Sequence, residues 1–119
     1  GPVDPASPLA QEEVFGPVLA ITRFDDEDEV VAAANDSRYG LAAGVWTMNI
    51  QRGHRVAKRL NCGTVYINAY RLVSAGSPIG GYKQSGFGKE LGLQALELYL
   101  NTKHVWVDLS DEGLNWYGL

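Results

Sequence analysis

Two adjacent carboxylates, Glu12 and Glu13, stand directly before the apolar run Val14-Phe15-Gly16-Pro17-Val18. Solubility does not require acids at the mouth of an apolar strand, and the Gly-Pro pair stiffens the backbone beside Phe15. A carboxylate and an aromatic ring held side by side can accept hydrogen bonds from sugar hydroxyls and pack against a flat ring. A solvated acidic pair beside a rigid turn is the plainer alternative, and spacing alone leaves both open. The second chemical candidate is the glycine-rich stretch from Gly76 to Gly92, GSPIGGYKQSGFGKELG. A phosphate-binding P-loop needs Gly-Lys-Ser/Thr after an earlier Gly, but Gly88-Lys89 is followed by Glu90, and Lys83 holds the first glycine's place. The dinucleotide fingerprint fails as well: Gly86 and Gly88 fit, Leu91 occupies the third position, and no strand leads directly into the loop. These glycines read instead as a tight loop with positive φ angles.

Metal and nucleophile chemistry find less support. His54, His104 and Cys62 are isolated from one another, without the short ligand spacing of a zinc site. Cys62 has no neighbouring His to lower its pKa, and it shares a strand face with Thr64 and Tyr66, as a buried, inert thiol would. Arg52, Arg55 and Arg59 form one helical stripe. With Lys plus Arg at 10 against Asp plus Glu at 14, the net charge of -4 argues against a nucleic-acid surface. A solvated face, or contact with the acids Asp25–Glu29, is the expected use.

The elements that must position these groups follow from periodicity. Residues 1–13, with three prolines, read as an extended lead-in. Strands are expected at 18–24, 42–48 and 62–68, with helices from the Asp25–Glu29 acids to about Asn35 and over 50–60. After the glycine-rich loop, a helix is expected at about 89–100 and a last strand at 103–109. The order β-α-β-α-β predicts an α/β fold with parallel strands and crossover helices. Three strands and two helices leave open edges and uncovered apolar surface.

At 119 residues and 45% hydrophobic, the chain can build one modest core. A single Cys excludes an internal disulfide, and no apolar run is long enough to span a bilayer. The opening Gly1-Pro2-Val3-Asp4-Pro5 has no basic-then-apolar leader pattern, and Gly1 without a preceding Met suggests a processed or engineered end. A cytoplasmic location is the expectation, with neither nucleic acid nor membrane as a partner.

Several ordered motifs resemble the NAD(P)-dependent aldehyde dehydrogenase superfamily. Glu12-Glu13-Val14-Phe15-Gly16-Pro17 is similar to its Glu-x-Phe-Gly-Pro motif. Asn35-Asp36-Ser37-Arg38-Tyr39-Gly40-Leu41-Ala42-Ala43-Gly44-Val45-Trp46 also matches. So do Gly63-Thr64-Val65-Tyr66-Ile67-Asn68 and the run from Ser77 to Gly92. The resemblance covers about residues 3 to 109 and points to the C-terminal part of the catalytic domain: a partial three-layer sheet with crossover helices. It implies a lead-in over 1–13, catalytic-domain sequence over 14–100, and an oligomerisation strand and tail over 101–119.

By that resemblance Glu13 bonds the nicotinamide ribose hydroxyls and Phe15 lies beside the nicotinamide ring. Arg71, Leu72, Val73 and Ile79 fall where the family lines its aldehyde tunnel. Two of those positions are often aromatic in the family, but Val73 and Ile79 are aliphatic here. Lys83, Gly81 and Gly86 are expected to shape the loop. The family oxidises an aldehyde to a carboxylic acid through a Cys thioester, with hydride passing to NAD or NADP. Its nucleophile lies upstream of Glu-x-Phe-Gly-Pro, yet only 12 residues precede Glu13 and none is Cys. No catalytic residue is therefore assigned, and the chain alone is expected to be inactive and to bind no cofactor. The small-molecule aldehyde and the NAD or NADP belong to the longer enzyme. A homo-oligomer through the Lys103–Leu109 strand is expected, and the alternative is a free-standing interaction module that self-associates through that edge.

Overall fold

The computed structural model describes residues 2–113. Its best-packed part is a β-α-β unit. Strand β2 (Ala42–Val45) leads through helix α3 (Ile50–Arg59) to strand β3 (Thr64–Ile67), and the strands pair in parallel from Ala42 opposite Thr64 to Val45 opposite Ile67. Helix α3 starts where the Asn49 side chain accepts the Arg52 N–H at 3.0 Å. Its Gly53 is buried, and a Cβ there would lie 3.1 Å from Ile67 and 3.4 Å from Thr47, so the missing side chain lets the helix settle on the sheet.

Helix α2 (Glu27–Asn35) packs beside α3. Asp26 caps it by accepting the Glu29 N–H at 2.8 Å, and Glu29 reaches back to the Asp25 N–H, also at 2.8 Å. The expected contact between the acids and the arginine stripe is present. Glu27 takes both ends of the Arg55 guanidinium at 2.7 Å, with Arg52 at 3.5 Å and Arg59 at 3.7 Å, while Arg59 also reaches Asp28 at 2.7 Å. Val31 of α2 and Val56 of α3 are the two buried hydrophobic residues of the core among the described residues.

A second, antiparallel ribbon joins strand β1 (Tyr39–Gly40) to strand β4 (Tyr82–Lys83). It brings the glycine-rich loop back onto the chain just before β2.

Four expectations need correction. Residues 18–24 form no strand. They run as unpaired extended chain with Leu19 and Ile21 exposed, and among the described residues the one backbone bond to a segment distant in sequence is Val3 N–H to the Ile21 carbonyl at 3.1 Å. The three-stranded parallel sheet is thus two strands plus a separate ribbon. Residues 103–109 likewise pair with nothing among the described residues, because a strand-forming sequence without a partner gains no ladder. The helix expected at 89–100 is a 3-10 turn, Leu93–Tyr99, preceded by Leu91 and Gly92 at φ 61° and 63°. Left-handed backbone at those two positions ends any α-helical approach. Finally, the lead-in contains one short helix, α1 (Pro8–Gln11), whose first residue is a proline with φ already set for a helix.

The radius of gyration is 22.3 Å, where a compact domain of this length has about 13–14 Å. Extended segments on both sides of the β-α-β unit account for the difference.

Candidate functional site

Glu12 and Glu13 lie just past α1, in the turn that leads to Phe15. The two acids are used differently. Glu12 is fastened, accepting from the Arg38 guanidinium at 3.3 Å. Among the described residues Glu13 has no hydrogen-bond or salt-bridge partner, and Phe15 is 93% exposed. A carboxylate and a ring left free beside an anchored neighbour are available to a ligand carrying hydroxyls and a flat ring, so both residue types fit a ribose and a nicotinamide.

Arg38 sits in the segment 36–40, where much of the structure meets. Lys83, held at φ 52°, sends its ammonium to the carbonyls of Asn35 at 2.8 Å and Ser37 at 2.9 Å, satisfying the end of α2. The Arg38 carbonyl accepts the Gln84 N–H at 3.0 Å, and Ser85 Oγ accepts the Gly40 N–H at 3.0 Å. Lys83 therefore shapes the loop, as expected of it. Gly81 does too: a Cβ there would stand 2.5 Å from the Ser85 Cβ. Gly86 adopts φ 125° with open space around it, so its need is conformational.

The tunnel candidates follow β3. Tyr66 Oη donates to the Leu72 carbonyl at 3.1 Å, and Tyr70 packs edge-on against Tyr66 with ring centres 5.5 Å apart. Arg71 is held at φ 58°, a left-handed conformation that a side-chain-bearing residue adopts at a cost. Leu72 and Val73 are 69% and 67% exposed. Ile79 is half-buried and exchanges both backbone bonds with Glu90 at 2.7 Å. It belongs to the wall of a cavity of about 310 Å³ that Leu41, Phe87, Lys89 and Leu98 also line. The structure thus keeps Arg71, Leu72 and Val73 on one short loop and places Ile79 on the glycine-rich loop.

Cys62 is half-buried and donates to the Thr64 carbonyl at 3.3 Å. Burial pushes its thiol pKa up, the reverse of what a nucleophile requires. No group of three or more His, Cys, Asp or Glu side chains able to hold a metal occurs among the described residues.

A larger cavity, about 720 Å³, lies between α2, α3 and β2, lined by Phe24, Val30, Trp46 and Leu60 and by the charged Arg52 and Glu27. Periodicity within single elements does not reveal it, because its walls come from α2, α3, β2 and the segment before α2 together.

The sequence model of the Aldehyde dehydrogenase family matches residues 2–105, and the chain belongs to that family. It is 54% identical over 101 residues to a betaine aldehyde dehydrogenase of Brucella melitensis, covering 85% of this chain and 21% of that protein. Among solved structures, the NAD+ complex of the aldehyde dehydrogenase of Bacillus cereus is 53% identical at a TM-score of 0.87, covering 91% of this chain and 22% of that one. The betaine aldehyde dehydrogenase of Staphylococcus aureus in complex with NAD+ is 44% identical at a TM-score of 0.91, over 98% of this chain and 23% of that one. The chain spans about a fifth of the length of the curated relatives it matches.

Proposed function

We propose that these residues form the C-terminal part of the catalytic unit of an NAD-dependent aldehyde dehydrogenase, and that the 119 residues alone do not turn over. In the overall reaction an aldehyde, water and NAD+ become a carboxylic acid, NADH and a proton. NAD, when bound, supplies the acceptor for the hydride leaving the aldehyde carbon. Glu13 accepts hydrogen bonds from the ribose hydroxyls, and Phe15 offers its ring face beside the nicotinamide. Arg71, Leu72, Val73 and Ile79 form one side of the aldehyde site.

The observation that carries this reading is the unequal fate of the acidic pair, Glu12 tied to Arg38 and Glu13 free beside an exposed Phe15. NAD rather than NADP is favoured by the NAD+ complexes of the solved relatives. Half a ribose site offers too few contacts to offset the loss of translational freedom, so the separate chain binds no cofactor. Residues 103–109, extended with Val105, Trp106 and Val107 at 70–77% exposure, supply a strand for pairing with a second copy in the longer enzyme. We place that enzyme in the cytoplasm.

The test is made in the full-length enzyme that carries this segment. Glu13→Gln and Phe15→Ala should each raise the KM for NAD severalfold at unchanged thermal midpoint. Wild-type KM in both variants would overturn the cofactor role.

A further inference from the structure

The chain has six arginines, and five of them have a carboxylate partner at 2.7–3.5 Å: Arg23 with Asp25, Arg38 with Glu12, Arg52 and Arg55 with Glu27, and Arg59 with Asp28. Arg71 alone has none among the described residues. Its position is built nonetheless. The left-handed backbone at Arg71 is followed at once by the Tyr66–Leu72 hydrogen bond, and the loop closes further on through Ser77 N–H to the Ser74 carbonyl and Gly92 N–H to the Ala75 carbonyl, both 3.0 Å. A guanidinium without a counter-ion, on a loop fastened by its neighbours and flanked by exposed Leu72 and Val73, has the chemistry to receive an anion.

We propose that Arg71 recognises the carboxylate tail of the aldehyde, so that the preferred substrate class is an ω-carboxylated aldehyde and the product a dicarboxylate. The proposal rests on the dehydrogenase reading above and on the placing of Arg71 in the aldehyde site. It runs against the names of several relatives. Betaine aldehyde carries a trimethylammonium group, which proteins hold against aromatic ring faces. The side chains proposed here for the aldehyde wall are one cation and three aliphatic residues, Leu72, Val73 and Ile79. The nearby rings contact one another, Tyr66 and Tyr70 edge-to-face at 5.5 Å and Trp46 tilted against Tyr70 at 6.4 Å. On this wall a trimethylammonium tail would meet the like charge of Arg71.

The experiment compares kcat/KM in the full-length enzyme for three aldehydes: a four-carbon aldehyde ending in a carboxylate, butanal, and trimethylammonium acetaldehyde. The carboxylated substrate should exceed butanal about tenfold, the lower end for a hydrogen bond to a charged group, and the trimethylammonium substrate should be the poorest. Arg71→Leu should erase the preference for the carboxylate, and Arg71→Lys should keep part of it. The wild-type preference should also shrink in high salt, a readout that does not depend on any variant folding. A preference that survives Arg71→Leu, one indifferent to salt, or a wild-type enzyme favouring butanal or the trimethylammonium substrate would each overturn the proposal. Failure to oxidise all three would instead overturn the dehydrogenase reading, and the proposal with it.

Discussion

Replacing Gly63 by alanine should leave the enzyme folded and cripple it. Gly63 donates its N–H to the Gly40 carbonyl at 3.0 Å, and a Cβ on Gly63 would collide with the Gly80 carbonyl. Its neighbours in this stack are as tight: a Cβ on Gly40 would stand 2.8 Å from the Asn61 carbonyl, and one on Gly80 would stand 2.5 Å from that of Gly88. Three backbone segments therefore meet where no side chain fits. Restoring an ordinary contact distance of about 3.4 Å requires the Gly80 peptide to retreat by well over about 1 Å. Ile79 is the next residue, so its side chain moves with that peptide.

Overpacking of this kind costs about 1–3 kcal/mol, less than the about 5–15 kcal/mol that holds a domain folded. If Ile79 lines the aldehyde site as proposed, the functional loss should be larger, because misplacing such a wall by about 1 Å costs on the order of 100-fold in rate. The assay pairs kcat/KM of the full-length enzyme with its thermal midpoint for Gly63→Ala. Gly76→Ala serves as the control, since nothing lies within 4 Å of a Cβ at that position. Activity within threefold of wild type in Gly63→Ala, or equal losses in both variants, would refute the reasoning.

Three further outcomes follow from the packing around α2 and α3. The Arg55 hydrogen bonds to Glu27, helped by the charges of Arg52 and Arg59, hold the Glu27 carboxyl below its ordinary value of 4.5. A depressed acid stabilises the fold above its unfolded pKa and loses that contribution as pH falls through the folded value. Glu27→Gln should therefore lower the unfolding midpoint at pH 7, and the gap to wild type should close below about pH 4.5 as measured by acid titration of unfolding. Asp26→Ala removes the cap of α2 and should cost about 1 kcal/mol, read as faster hydrogen exchange at Val30 and Val31. Cys62, half-buried with a raised pKa, should react with iodoacetamide more slowly than a free thiol at pH 8 and at the free-thiol rate in denaturant.

Short-range order was legible in the residues. Acids at 25–29 followed by Val30 and Val31 marked α2, the arginine stripe marked α3, and the apolar runs at 42–48 and 62–68 contain β2 and β3. The stripe's contact with the acids was legible too, since opposite charges on adjacent helices have few other uses. Residues 18–24 and 103–109 were misread for a common cause: β-propensity describes fit to a neighbouring strand, and among the described residues neither segment has one. Leu91 and Gly92 hid the stop before the 3-10 turn, because a leucine at φ 61° carries no compositional signal. Of the candidate site, the acidic pair and the ring could be picked out by type. Which glutamate is free could not, because Arg38, the partner that occupies Glu12, is 26 residues away.

The distribution of satisfied and unsatisfied groups separates two parts of the chain. The α2–α3 clamp and the Lys83 cap find their partners within the chain, and the glycine stack packs backbone against backbone. The surface is otherwise open: 10203 Å² is accessible, where a folded chain of 12.9 kDa exposes about 6,300 Å². Glu13, Phe15, Arg71, Leu72 and Val73 all lie on the open part, beside anchors such as the Glu12–Arg38 pair and the Tyr66–Leu72 bond. Groups so placed are positioned by this chain and left for something else to meet. Cofactor affinity and aldehyde preference should therefore respond to substitutions here only in an enzyme that also supplies the facing walls, whereas the clamp and the stack should register in stability wherever the segment folds.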